Sequence, residues 1–175
     1  MVLESSPTHR TEGRTGVLVS GRHTSRPHPN KAHYAPKGTM NYYLAKSDPE
    51  EYALNDLERD QKTTWDGVKN PQALQAIRAM RPGDLVFFYH SGGQSSLVGL
   101  AKVASAPRPD PKNEKLAIID LAFISRLDPP TTLAQVKAEP QFADFLLVRN
   151  SRLSTMPVPA AFVAWMRKRY PKAKI

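Results

Sequence analysis

The apolar positions of the chain predict several strands mixed with short helices. The stretches 41–45, 85–90, 97–104 and 116–124 carry the continuous or alternating apolar residues that are typical of strands. Strands and helices do not alternate regularly, which argues against a doubly wound parallel sheet. We therefore predict a mixed α+β fold, in which a small curved sheet or barrel has helices packed around it.

Helix starts are marked by local capping chemistry. Asn70 followed by Pro71 combines an amide cap with proline at the first helical position. We also predict that Asn55 caps a short helix, that Thr132 caps another, and that Pro159 opens a last helix. After Asn70, helical spacing predicts an inward face made of Ala73, Leu74, Ile77 and Met80.

Composition changes at Met40. Residues 1–39 hold six basic and two acidic side chains, four of the five histidines and few large apolar residues. Such a segment buries too little surface to offset its ordering entropy, so we predict a flexible basic arm followed by a folded domain over 40–175. The alternative is that Met40 is the natural start. The histidines lack ligand spacing, and we expect no metal site.

Charge and residue usage narrow the function classes. The net charge is +9 and the pI about 9.9, which favours a polyanionic partner. The absence of cysteine excludes disulfides, thiolate zinc sites and cysteine nucleophiles. No apolar run approaches the ~20 residues of a membrane span and no signal peptide is apparent, so we expect a cytoplasmic protein without a membrane partner.

The basic cluster at residues 167–174 has two interpretations. Its cations suit the C-terminal dipole of the last helix, in which case they form a solvated helix end. The other interpretation is a tail that contacts phosphates.

No motif of a known catalytic class occurs in the chain. The spacings of zinc hydrolases, serine hydrolases, Walker loops and dinucleotide sites are all missing. His90 follows an apolar strand, where structural hydrogen bonding is the commoner role of a histidine. We therefore predict a protein that is not an enzyme and needs no cofactor.

Trp65 lies among polar and turn-forming residues, a context suited to stacking on a flat ring. Asn70 nearby can offer a donor and an acceptor to a base edge, and Gly67 lets the backbone approach a ligand. The alternative interpretation is structural: Trp65 is a core anchor and Asn70 only a helix cap.

Two motifs carry a family resemblance. Lys46-Ser47-Asp48-Pro49 and Trp65-Asp66-Gly67-Val68-Lys69-Asn70 resemble the K-S-E-P and W-D-G-V-R-N signatures of the EVE domain. Two departures are Asp48 for glutamate and Lys69 for arginine, which loses a planar fork. Further blocks match in order at 80–84, 87–91, 98–103, 109–111 and 152–157, so that the resemblance spans about residues 41–170.

The resemblance implies a PUA-like fold and a partner that is DNA or RNA carrying a modified base. Members of the wider group bind RNA or modified DNA bases, and cytosine derivatives such as 5-methylcytosine are proposed for EVE domains. The chain resembles the bacterial single-domain members, and we expect a monomer. A sensor of nucleosides or other small molecules, using the same pocket, is the alternative function.

On this basis we predict a pocket beside Trp65 for a flipped or single-stranded base. Ser47 and Asn70 would bond the base edge, and Val68 would accept a methyl group. Further walls would come from the strand end at Tyr89, His90 and Ser91 and from the C-terminal residues Leu153 and Ser154. The predicted phosphate or ribose contacts are Lys46, Lys69 and Arg152.

Overall fold

The computed structural model describes residues 39–175, so the predicted arm lies, except for its last residue, outside the described part. Within that part the mixed α+β class is confirmed. The strands are β1 Tyr42–Ser47, β2 Lys62–Trp65, β3 Leu85–His90, β4 Ser96–Val103, β5 Arg108–Asp110, β6 Asn113–Thr132 and β7 Thr155–Pro157. The helices are α1 Leu54–Asp60, α2 Pro71–Ala79, α3 Leu133–Lys137, α4 Leu146–Arg149 and α5 Ala160–Arg169, with a 3-10 turn at Pro140–Phe142.

One curled sheet organises the domain. Its strand order is β2-β6-β4-β3-β1-β7, and β5 pairs with β6. The pair β1 and β3 is parallel, and the other pairs in the described chain are antiparallel. Register shifts within β3–β4 and β4–β6 bend the strands. The result is a half-barrel, as the predicted curved sheet requires.

Strand β6 is longer than its apolar pattern indicates. The sequence predicts a strand over 116–124, whereas β6 has 20 residues and continues past Pro129 and Pro130. Its pairing with β4 skips from Arg126 to Thr131, because prolines have no N–H to donate to a ladder. Between these two pairs β6 advances five positions while β4 advances two, so the prolines interrupt the ladder with a bulge.

Capping at α2 and α3 confirms the predicted helix starts. The Asn70 Oδ1 atom accepts from the N–H groups of Gln72 and Ala73 at 2.9 and 3.3 Å. Thr132 and Gln135 bond each other's backbone N–H groups at the start of α3. The four inward residues predicted for α2 are all buried.

The predicted cap of α1 is wrong. Ala53 precedes that helix, and its N–H donates to the Asp56 carboxylate at 2.9 Å. Asn55 lies inside the helix, where its side chain accepts from Arg126 at 2.7 Å. The Asn55 amide, predicted to cap the helix, is therefore bonded instead to Arg126 of β6, which lies far along the chain.

The core lies between the sheet and the helices α1, α2 and α5, and the predicted start of α5 after Pro159 is confirmed. Phe87 of β3 packs edge-on against Phe162 of α5, with ring centroids 5.8 Å apart. Phe142 and Phe145 close the same cluster around Phe162. None of the helices within residues 39–175 is long and apolar enough to cross a membrane.

Candidate nucleic-acid interface

A cleft of about 610 Å³ opens where four segments meet. We call it the Trp65 cleft. The carboxyl end of β1 lies beside the segment before β7, because the Lys46 N–H donates to the Ser154 carbonyl at 2.7 Å. The end of β2 and the loop to α2 form the other side. The lining residues are 46–48, 51–52, 63–70, 152 and 154.

Trp65 belongs to both the core and the cleft. Its indole is only 9% exposed, and Nε1 donates to the hydroxyl of the fully buried Thr155 at 3.2 Å. The Phe88 ring packs against it edge-on, with centroids 6.0 Å apart. Burial makes the indole a structural anchor, and the remaining exposed part lines the cleft. The two interpretations of Trp65 are therefore compatible.

Lys46 and Ser47 are fixed by backbone contacts. The Lys46 ammonium donates to the carbonyls of Asn150 and Ser151, at 3.4 and 3.2 Å, and burial lowers the pKa of this side chain. The Ser47 hydroxyl donates to the Tyr52 carbonyl at 2.6 Å. Its donor is therefore used, and only the oxygen lone pairs are available to a ligand.

The loop between β2 and α2 supplies the other polar side of the cleft. Gly67 has a φ of +72°, a conformation that side chains rarely adopt, so the loop turns sharply there. Val68 is buried, whereas Asn70 is exposed. Because capping uses the Asn70 oxygen, its NH₂ group is the part that can donate to a ligand.

Charges around the Trp65 cleft are balanced. Three basic residues line it, and so do the acidic residues Asp48, Glu51 and Asp66. Lys69 and Arg152 are exposed and form no ion pair within residues 39–175. Unlike Lys46, whose ammonium is bonded to two backbone carbonyls, these two side chains form no ion pair that a phosphate or ribose would have to displace.

Four predicted pocket residues do not line this cleft. Tyr89 and Leu153 are buried, and Tyr89 lies beneath Lys46, whose Nζ is 5.7 Å from the ring centroid. His90 and Ser91 border a neighbouring cavity of about 510 Å³. The strand end lies outside the lining of the Trp65 cleft, because β1 pairs with it on one side and the start of α1 bonds His90.

His90 has the structural role that its position indicates. Its Nε2 accepts from the backbone N–H of Leu54 at 2.9 Å, at the start of α1. Burial lowers the pKa of this imidazole, because desolvation penalises the charged form. The neutral ring is also the form that can accept the hydrogen bond.

Tyr52 is a lining residue that the sequence did not single out. It lies in the turn after β1, is half-buried, and its hydroxyl donates to Asp60 at 3.1 Å. The pKa of the Tyr52 hydroxyl is raised, mainly because burial disfavours the charged form. An aromatic residue five positions after Ser47 in a polar turn was the available signal, but the conformation of the turn, in which the Ser47 hydroxyl bonds the Tyr52 carbonyl, is not evident from the sequence.

The curled sheet with a polar cleft at its edge has the architecture of a PUA-like domain. A model of the EVE domain family matches residues 41–169, and the chain belongs to this family. Rat thymocyte nuclear protein 1 is 30% identical over 158 residues, which cover 70% of each chain.

Two solved structures illustrate the similarity. A Rhodopseudomonas palustris protein studied by NMR has a TM-score of 0.72 at 34% identity, covering 78% of this chain and 97% of that one. Human THYN1, in complex with DNA containing 5-methylcytosine, has a TM-score of 0.67 at 26% identity, covering 77% of this chain and 99% of that one.

Proposed function

We propose that the chain is a non-catalytic nucleic-acid-binding module that reads a modified base in the Trp65 cleft. The observation that carries this proposal is an indole locked by Thr155 at the edge of a polar cleft of about 610 Å³. The human relative was crystallised with DNA containing 5-methylcytosine, which supports DNA as the partner and a cytosine derivative as the base.

The base would contact the exposed part of Trp65. Stacking on an aromatic side chain is worth about 1–3 kcal/mol per base. Trp65 is only 9% exposed, so we expect the lower end of this range. Val68 would receive a methyl group, a gain of about 0.8 kcal/mol that corresponds to roughly fourfold discrimination. Tyr52 would add a second ring to the contact.

Hydrogen bonds would select the base edge. Ser47 can accept, and the Asn70 NH₂ group can donate, because their other atoms are already bonded. Ser154 lies beside them in the lining. A site with fixed polar partners rejects a base that leaves them unpaired. Lys69 and Arg152 would contact phosphate or ribose, while Lys46 holds the 150–151 backbone in place.

Intrinsic fluorescence gives a direct test, because the chain has two tryptophans. In a Trp165→Phe background, Trp65 becomes the only reporter. Oligonucleotides of DNA and RNA with a central cytosine, 5-methylcytosine or 5-hydroxymethylcytosine are titrated into the full chain. We expect a change in Trp65 emission and tighter binding for one modified base.

Paired variants separate recognition from packing. Trp65→Leu should weaken binding of the preferred oligonucleotide by at least fivefold, the loss expected from one stacked base. Phe145→Leu removes another buried ring outside the cleft and should leave the affinity unchanged. Equal affinities for all bases, with unchanged Trp65 emission, would exclude base reading. Tight nucleoside binding without salt dependence would favour the small-molecule sensor instead.

Enzymatic turnover has its own check. No catalytic residue is assigned to the cleft, so the modified oligonucleotide should be recovered unchanged after prolonged incubation. Mass spectrometry of the recovered strand measures this. A product of altered mass would show that the protein is an enzyme.

A further inference from the structure

A second cleft, of about 470 Å³, lies between β6 and the segment that follows α5. We call it the C-terminal cleft. Ile124, Tyr170, Pro171 and Ala173 supply apolar lining. Arg126, Asp128, Arg169, Lys172 and Lys174 supply the charged groups. None of the residues assigned to base reading takes part in it.

The cations of this cleft are largely uncompensated. Arg126 is engaged by Glu58 in an ion pair. Within the described chain, Arg169, Lys172 and Lys174 are exposed and form no ion pair with a carboxylate. Asp128 is the acidic side chain in the lining. An excess of unpaired positive charge in a concave site attracts anions.

Arg169 is held in position by groups that leave its charge intact. Its Nε donates to the Thr131 hydroxyl at 3.2 Å, which lies 2.6 Å from the Tyr170 hydroxyl. The Tyr170 hydroxyl in turn donates to the Pro129 carbonyl at 2.6 Å. Since Tyr170 uses its proton on Pro129, Thr131 must donate to Tyr170. The three donors form one directed chain that ends on the backbone.

A ring contact completes the placement of this arginine. Its guanidinium carbon lies 4.9 Å from the centroid of the Trp165 ring. Stacking and the Nε bond fix the plane of the guanidinium, so that its terminal N–H groups remain to bind an anion. A fixed planar fork matches the oxygens of a phosphate better than a flexible ammonium does.

Ser125 contributes to the wall of the C-terminal cleft without offering its hydroxyl to a ligand. Its hydroxyl oxygen is inaccessible to solvent and has no hydrogen-bond partner among residues 39–175. The residue itself is half-buried and belongs to the cleft lining.

We propose that the C-terminal cleft binds backbone phosphates of nucleic acid through Arg169, Lys172 and Lys174. The charge-balanced Trp65 cleft supplies few phosphate contacts, so a second surface is needed to hold a polyanion. Ile124 and Lys174 of the C-terminal cleft also line a neighbouring cavity that reaches Tyr42 at the start of β1, while the end of β1 lines the Trp65 cleft. The six-residue strand spans roughly 16 Å, a distance that a few nucleotides cover.

Salt dependence tests this assignment. Binding of the full chain to an unmodified duplex and to a modified duplex is measured between about 50 and 200 mM salt. The slope of log K against log salt is negative, and in the double variant Lys172→Gln/Lys174→Gln it should become shallower by about 0.9 for each phosphate contact removed. The matched control is Lys112→Gln/Lys115→Gln, two exposed lysines outside the cleft, which should keep the wild-type slope.

Arg169 is tested by a graded pair of variants. Arg169→Gln should lower the slope by about one contact, and Arg169→Lys should restore part of it, because charge returns without the fork. Slopes equal to the wild type in Arg169→Gln and in the lysine double variant would overturn the proposal. The proposal would also be overturned if the wild-type protein bound anionic lipid vesicles but no oligonucleotide.

The inference uses the proposed function for the identity of the polyanion, yet the two fail separately. Loss of salt dependence in the variants, together with equal affinity for modified and unmodified duplexes, would support the phosphate site and reject base reading. An unchanged slope with a retained preference for the modified base would do the reverse. Inorganic phosphate, added as a competitor, should weaken duplex binding in the wild type more than in Arg169→Gln.

Discussion

The Trp65 cleft and the C-terminal cleft are built in opposite ways. In the first, the indole is buried and hydrogen-bonded to Thr155, and acidic side chains match the basic ones in number. In the second, the cations are exposed and exceed the carboxylates, and Arg169 is held by a chain of hydrogen bonds through Thr131 and Tyr170. The first has the features of a site that selects by shape and hydrogen bonds, the second those of a site that attracts by charge.

This difference separates specificity from affinity. Phosphate contacts carry little sequence information and are strongly salt-dependent, whereas contacts to a base edge discriminate and depend less on salt. A protein that places these tasks on different surfaces can lose either one by substitution. Substitutions in the two clefts should therefore differ in their effect on stability as well as on binding.

The largest expected effect is on the free energy of unfolding. Trp65→Ala should lower it by about 3–5 kcal/mol, because a buried ring is lost and Thr155 is left without its donor. Arg169→Ala should cost about 1–2 kcal/mol, since its exposed side chain loses one stacking contact with Trp165 and one hydrogen bond to Thr131. Urea denaturation of both variants measures the difference. Equal losses would mean that the two clefts are equally integrated into the core.

A cap substitution separates folding from recognition within the Trp65 cleft. Asn70→Ala should lower the free energy of unfolding by about 1 kcal/mol, because Gln72 and Ala73 lose their acceptor. Asn70→Ser keeps an acceptor and should stay within a few tenths of the wild type. Both variants lack the NH₂ group, so both should lose preference for the modified base. Thermal unfolding and oligonucleotide titration are compared, and full preference in Asn70→Ser would remove Asn70 from recognition.

The smallest expected effect depends on pH. Burial lowers the pKa of His90 below its ordinary 6.5, so the unfolded chain takes up the proton first as the pH falls. The His90 contribution to stability is therefore complete above about pH 6.5 and declines below it. Protonation of Nε2 also breaks the Leu54 bond, a loss on the order of 1 kcal/mol.

The residues around Leu54 begin α1 and follow the lining residues Glu51 and Tyr52, so acidification should affect the Trp65 cleft before the C-terminal cleft. Unfolding free energies and salt slopes are measured at pH 7.5 and 5.5. His90→Gln, which keeps an acceptor without a titrating ring, should flatten the stability profile in this range. A slope that changes with pH while the stability stays constant would contradict the assignment.

Local chemistry was predicted well from the sequence. Asn70 and Pro71 start α2, and Thr132 caps α3, because a cap needs only neighbours within four residues. The apolar run of β3 is the central buried strand that its composition predicts. Asn55 is the exception: its amide bonds Arg126, which lies 71 residues away in the chain, and a contact over that distance cannot be inferred from local sequence.

The predicted site residues show the same difference between local and long-range determinants. Eight of the twelve line the Trp65 cleft, since the two signature motifs place most of them on one loop and one strand end. Tyr89 and His90 do not, because a register shift after Phe88 and the parallel pairing with β1 decide which way that strand end faces. Tyr52 was missed because the conformation of its turn is not evident from the sequence.

By itself the sequence determined the fold class, the family and the loop that carries Trp65, since these depend on local periodicity and on motifs within short segments. Only the tertiary structure decided how deeply the indole is buried and which cations are left unpaired. Burial and charge compensation depend on contacts between residues that are distant in the chain, such as Trp65 with Thr155 and Arg169 with Thr131. Such contacts exist only once the sheet has curled and brought those residues together.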